Sequence, residues 1–215
     1  MANSNGAYGL RPISMQGAMP NSTGLSEYRI AAGNTNKLYQ GQAVIPLATG
    51  VIDDLQAAAG GTVSIIGVFW GCEFVSSSTG KMTFSNTWPG SGADTDFPVK
   101  AFLYDSPNQL FSIATSNVVA GYNTEAEVRT AVFSNIALAN GNSGTDSTGI
   151  SSGTADLNTV AATNSLALRV MGIQDDVDNE DFTVAGIPLI VRINNHFNAP
   201  TGSVAQGTVA TTALA

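Results

Sequence analysis

The hydrophobic pattern along this chain is mostly period two. "EYRIAAG" and "KLYQGQAVIPLATGVI" alternate loosely between apolar and polar positions. "SLALRVMGI" sets Leu166, Leu168 and Val170 against Ala167 and Arg169, and "IPLIVRINNHF" sets Ile187, Leu189, Val191 and Ile193 against Pro188, Ile190, Arg192 and Asn194. Such alternation predicts strands with one buried face. Residues 63–72 read differently: Val63, Ile65, Gly67 and Phe69 would face one way and Ile66, Val68, Trp70 and Cys72 the other. Because both sets are apolar, this strand is expected at the centre of the domain, covered on both sides. "GKMTFSN", "VKAFLYD" and "QLFSIAT" follow, separated by stretches rich in the Gly, Pro, Asn and Asp of turns.

One helix is predicted. Thr124 followed by Glu127 fits a capping box, and Val128, Ala131 and Val132 continue at helical spacing. The β-branched content of "VRTAVFSNIAL" limits it to one or two turns. Residues 139–156, "ANGNSGTDSTGISSGTAD", read as a long Gly/Ser/Thr loop that caps one end of the domain or reaches a neighbour. The fold class is therefore all-β, a compact barrel or sandwich with at most one short helix, occupying residues 27–198. Residues 199–215 have little to bury and read as a flexible or partner-bound tail. Residues 1–26 lack any hydrophobic period, yet Tyr8, Leu10 and Ile13 are residue types that seek burial. That composition describes an extended N-terminal arm that lies on something, since a disordered tail needs no apolar anchors.

Charge narrows the partners. Charged residues make up 11% of the chain, against about 25% in ordinary soluble proteins, so the surface is polar mainly through Ser, Thr, Asn and Gly. With 16 acidic and 8 basic residues and no basic cluster, neither nucleic acid nor an anionic membrane is an expected partner. No secretion signal or membrane-spanning run is evident, and Cys72 is the only cysteine, so an intrachain disulfide is excluded and a cytoplasmic site of synthesis is expected.

Candidate chemistry is sparse. His196 is the only histidine, at the end of a strand and without a nucleophile motif, so it reads as a strand-end hydrogen-bonding group or a subunit contact. In "QDDVDNED", Asp176, Asp178 and Glu180 alternate as candidate ligands for a hard cation. The glycine and terminal glutamate of a calcium loop are missing, so an acidic solvated turn is the preferred reading. Trp70 reads as core, whereas Trp88, in "NTWPGSG", reads as a loop residue at an interface. No cofactor site and no catalytic constellation are expected. A carbohydrate-binding module using Trp88 and Tyr122 is one alternative that the residues leave open; an enzyme is the poorest option.

"NGAYGLRPI", "LYQGQAVIPLATG", "GVFWGCEF" and above all "LRVMGIQDDVDNEDFTVAGIPLIVRINNHF" resemble the decoration, or cement, proteins of tailed bacteriophages, as in short-tailed marine-type phages. The segments that carry the resemblance are Tyr8 to Pro12, Asp178 to Glu180 and Arg192 to His196. It implies an all-β homotrimer that assembles in the bacterial cytoplasm, binds the major capsid protein on the outer surface of the virion at local threefold axes, and stabilises the expanded head. On this reading the arm, Tyr8, Leu10, Arg11, Pro12 and Ile13, is a clasp: Tyr8, Leu10 and Ile13 fill capsid pockets and Arg11 meets a capsid carboxylate. The first alternative is another virion component, such as a head fibre base, a knob or a tail-associated β-protein, ahead of the carbohydrate-binding module.

Overall fold

The most apolar run of the chain becomes β6 (Gly67–Val75), and the molecule is built around it. The computed structural model describes residues 3–17, 24–55, 64–117 and 119–199. One edge of β6 takes β9 (Val99–Tyr104). Its other edge is shared: β4 (Gln42–Pro46) pairs along Gly67–Phe69, and β7 (Met82–Ser85) pairs along Cys72–Val75. β9 continues to β2 (Ser26–Ile30), β2 to β5 (Ile52–Asp53), and β5 back to β4, which closes a five-stranded barrel with β7 left outside the closure.

The second sheet runs β1 (Arg11–Met15), β10 (Gln109–Ala114), β16 (Pro188–Ile193), β15 (Leu168–Ile173), β11 (Asn135–Ala139), β14 (Thr154–Ala161), with every neighbour antiparallel. Two small ribbons complete the fold, β3 (Leu38–Tyr39) with β8 (Thr87–Trp88) and β12 (Gly144–Thr145) with β13 (Ile150–Ser151). The fold is thus all-β, with one short helix, α1 (Glu125–Thr130).

There are two cores, and β6 stands between them. Phe69, Val44, Val99 and Leu103 fill the barrel. Val68, Ala43 and Ile45 face outward from it against Phe111, Ile113, Leu168, Val170, Leu189 and Val191 of the second sheet. Burial on both faces is what the sequence pattern demanded, but the assignment of faces changes. A bulge between Phe69 and Gly71 inserts Trp70, so Cys72 and Phe74 turn into the barrel with Phe69 rather than lying with Val68. Ile65 and Ile66 precede the regular strand and divide between the two cores, and Val63 lies outside the described residues.

α1 follows the capping-box logic. Thr124 Oγ1 accepts from the Glu127 N–H at 3.3 Å, the Glu127 carboxylate accepts from the Asn123 N–H at 3.0 Å, and Val128 is fully buried between the sheets. The stretch 139–156 is more ordered than a loop: it holds β12, β13 and the start of β14. It caps one end of the barrel, with Tyr39 Oη donating to Asp146 at 2.7 Å and Asn86 Nδ2 to the Thr148 carbonyl at 3.0 Å.

The N-terminal segment requires a correction. Its residues Arg11–Met15 are an edge strand of the second sheet, not an arm awaiting a surface. Pro12 is tolerated there because an edge strand need not use every N–H. The described part of the 1–26 stretch belongs to the body of the domain, and residues 200–215 of the tail lie outside the described residues.

Candidate interaction surface

The five proposed clasp residues divide between core and surface. Leu10 is 0% exposed and packs in the core between the sheets. Tyr8 is half-buried, its hydroxyl 2.8 Å from Ser112 Oγ, with its pKa raised chiefly by burial. Arg11 reaches solvent with its guanidinium 4.6 Å above the Tyr8 ring, Pro12 pairs in register with Phe111, and Ile13 is partly exposed at a bulge. Residues 3–5 are also occupied. The Asn5 N–H donates to Asn179 Oδ1 at 2.8 Å, and Asn3 exchanges bonds with the Asp181 backbone in both directions at 3.0 Å. The surface on which this segment lies is its own chain, so Leu10 and Tyr8 are not available as capsid anchors.

The two proposed interface residues are both interior. Trp88 is fully buried, stacks edge-on against Phe74 at 5.5 Å, and donates from Nε1 to the Asn34 carbonyl at 3.2 Å. The turn residues around it hid the fact that it sits on a short ribbon strand facing the barrel. The tryptophan that partly reaches the surface is instead Trp70, half-buried at the bulge and edge-on to Tyr104 at 5.3 Å. His196 is 1% exposed; its Nδ1 accepts from the Asn198 N–H at 3.1 Å, and burial lowers its pKa to about 4. Burial removes both residues from any surface, and removes Trp88 from glycan stacking.

In the acidic stretch, Asp176 spends its carboxylate locally, accepting from the Asp178 N–H at 3.2 Å and from Asn179 Nδ2 at 2.8 Å. Asp178 and Glu180 point into solvent. No group of three His, Cys, Asp or Glu side chains able to hold a metal ion is found among the described residues, and no helix among them is long and apolar enough to cross a membrane.

The surface missed by sequence reading is the rim around β7. Among the described residues this strand pairs only with β6, and it exposes Phe84 at 72% and Met82 at 54%. Two depressions flank Phe84. One, of about 520 Å³, is bounded by Lys37, Asn86, Pro89, Asp146 and Thr148. The other, of about 310 Å³, is bounded by Trp70, Gly71, Cys72 and Phe102. Charge in the first is internally compensated. Lys37 Nζ stands 2.7 Å from the Asp146 carboxylate, and bonds from Lys37 and Tyr39 hold that carboxyl below its ordinary range. Cys72, at the floor of the second, is 2% exposed, and burial pushes its thiol up to about 12. An aromatic standing proud of an unpaired strand edge, between two shallow recesses, suits docking of another protein surface better than chemistry on a small substrate. The alternation in "GKMTFSN" identified the strand but not that its apolar side faces out, because a free edge leaves no mark on the period.

No family model, curated protein or solved structure matches this chain.

Proposed function

We propose that this chain is a structural virion protein of a tailed phage, which binds the outer surface of the capsid as a trimer at local threefold axes and stabilises the expanded head without catalytic activity. The observation that carries the reading is how the three segments of the resemblance lie relative to one another. Tyr8–Pro12 leads into β1, Arg192–His196 closes β16, and Asp178–Glu180 forms the turn joining β15 to β16. Residues far apart in sequence meet here: Asn5 on Asn179, and Arg192 Nη1 on Gln16 Oε1 at 2.8 Å. One contiguous unit thus contains these three segments, while "LYQGQAVIPLATG" and "GVFWGCEF" lie in and beside the adjoining barrel; the clustering fits a shared scaffold rather than a scattered coincidence of strand-like runs.

Since the N-terminal segment is folded into its own sheet, contact with the major capsid protein falls to the β7 rim. Phe84 and Met82 supply apolar anchors there, and the free edge of β7 supplies backbone groups for strand addition. Three such rims on one trimer bind as a unit, so that avidity exceeds single-site affinity by orders of magnitude. The deficit of basic residues suits a protein on the outside of a shell whose nucleic acid is inside. The test is thermal release of the genome from expanded heads with and without added protein. A raised release temperature that saturates with occupancy supports the reading; an unchanged temperature at saturating protein removes the stabilising role.

A further inference from the structure

Arg169 and Arg192 are directly opposed residues of the adjacent strands β15 and β16. Like charges in such a cross-strand position are destabilising unless a negative group offsets them, and no carboxylate is paired with either arginine among the described residues. Arg169 Nε donates to Asn135 Oδ1 at 3.0 Å and Arg192 Nη1 to Gln16 Oε1, both neutral amides. Arg192 Nε is buried with no acceptor among the described residues. The ion pairs among those residues use Lys37, Lys100 and Arg129 instead. Arg11 lies on the same outer face of the sheet, in register with Ser112 and Ile190. The carboxylate that the pairing places on that face, Asp156, is two strands from Arg169 and accepts from both nitrogens of Asn158 at 3.0 and 3.1 Å. In a chain with twice as many acidic as basic residues, an arginine pair without an acid implies that the acid comes from outside.

The complementary patch is on the same chain, out of reach. Asp175, Asp178 and Glu180 are exposed on the β15–β16 turn, whose apex, Val177, is 87% exposed. The turn lies beyond Ile173, four residues and about 13 Å along the hairpin from Arg169 at roughly 3.3 Å per residue. It therefore cannot fold back onto its own arginines. Leu110, in register with Arg192, and Ile190 are half-buried beside the pair on the same face and offer Val177 an apolar seat.

We propose that the Arg169–Arg192 pair of one copy receives the Asp178–Glu180 turn of a second copy. Planar guanidiniums and carboxylates form short, charge-assisted and often bidentate bonds, which suit such a joint. The contact is head-to-tail, because one patch meets a different patch, and contacts of that kind close into rings such as the trimer on whose reading this inference rests. A twofold contact through the arginine face would instead bring four guanidiniums together. A polyanion such as nucleic acid is a poorer occupant, since the net charge of −8 repels it.

The test is sedimentation velocity of the full chain carrying Asp178→Lys with Glu180→Lys, Arg169→Glu with Arg192→Glu, or all four changes. Each reversal alone should weaken self-association on the order of 100-fold, and the fourfold variant should recover most of it. The turn variant changes only exposed side chains, so it decides the matter even if the arginine variant misfolds by near-UV circular dichroism. An oligomer that survives the turn reversal, or a wild-type chain that is monomeric throughout, overturns the proposal. Head binding measured in parallel separates the two readings. A monomer that still decorates heads removes only the head-to-tail contact, whereas a ring broken and restored by the reversals that binds no heads removes only the capsid reading.

Discussion

The backbone N–H of Leu10 donates to the carbonyl oxygen of Gly41 at 2.8 Å, fastening the N-terminal segment to the barrel while the Leu10 side chain fills the space between the sheets. Removing that side chain leaves a cavity that the two packed sheets cannot close. Leu10→Ala is expected to cost about 2–5 kcal/mol in urea unfolding, and deletion of residues 1–17 to cost more. A truncated chain as stable as the full one would show that the segment is an appendage after all.

The same joint is sensitive one residue earlier. Gly9 adopts φ +69°, and a Cβ there would stand 2.5 Å from the Gly41 carbonyl oxygen. Gly9→Ala therefore meets both an unfavourable backbone and a clash with main chain, and is expected to cost on the order of 2 kcal/mol or more. A denaturation midpoint equal to that of the wild type would contradict this.

His196 makes stability depend on pH. Its folded pKa of about 4 lies below its ordinary 6.5, so between these values the unfolded chain takes up a proton that the native chain refuses. Stability is thus full above pH 6.5 and falls toward pH 4, by on the order of 3 kcal/mol. The carboxyls of Asp146 and Asp181 are lowered below 3.8, so their contributions are lost only at still lower pH and do not share this window. Urea midpoints measured across the range should slope for the wild type and flatten for His196→Gln.

Cys72 reports on opening of the barrel. Its sulfur is buried and donates weakly to the Thr87 carbonyl at 3.4 Å, and its pKa is displaced to about 12, so little thiolate exists at neutral pH. Labelling by an aromatic disulfide reagent is expected to be at least about 100-fold slower in the native protein than in denaturant, and limited by local opening. Rapid native labelling would mean that the recess beside Phe84 and Trp70 reaches deeper than the fold indicates.

Much of the fold was legible in the chain because alternation is preserved where a strand has one buried face, as in Leu189, Val191 and Ile193. β1 was hidden by Pro12 and by exposed alternate positions that an edge strand permits. β14 was hidden because Ala155 and Leu157 are its only fully buried apolar side chains, set among Gly, Ser and Thr. The interface residues were misread for a related reason: exposure depends on which face meets which sheet. Trp88, beside a proline and two glycines, points inward, while Trp70, inside an apolar run, is turned outward by a bulge that no period announces. The Arg169–Arg192 opposition needed the register of two strands that are separated in sequence by the acidic turn.

Phe84 should separate folding from binding. At 72% exposure, its replacement by Asp is expected to change stability by less than about 0.5 kcal/mol. The same change sets a charge at the centre of the proposed capsid contact, where hot-spot losses of 2 kcal/mol or more are usual.

The most direct measurement is co-sedimentation of the wild-type chain and Phe84→Asp with genome-filled, expanded heads and with unexpanded precursor shells. Saturable binding of the wild type to expanded heads alone, weakened at least tenfold by Phe84→Asp, is the expected result. No binding of the wild type to either particle would contradict the decoration reading.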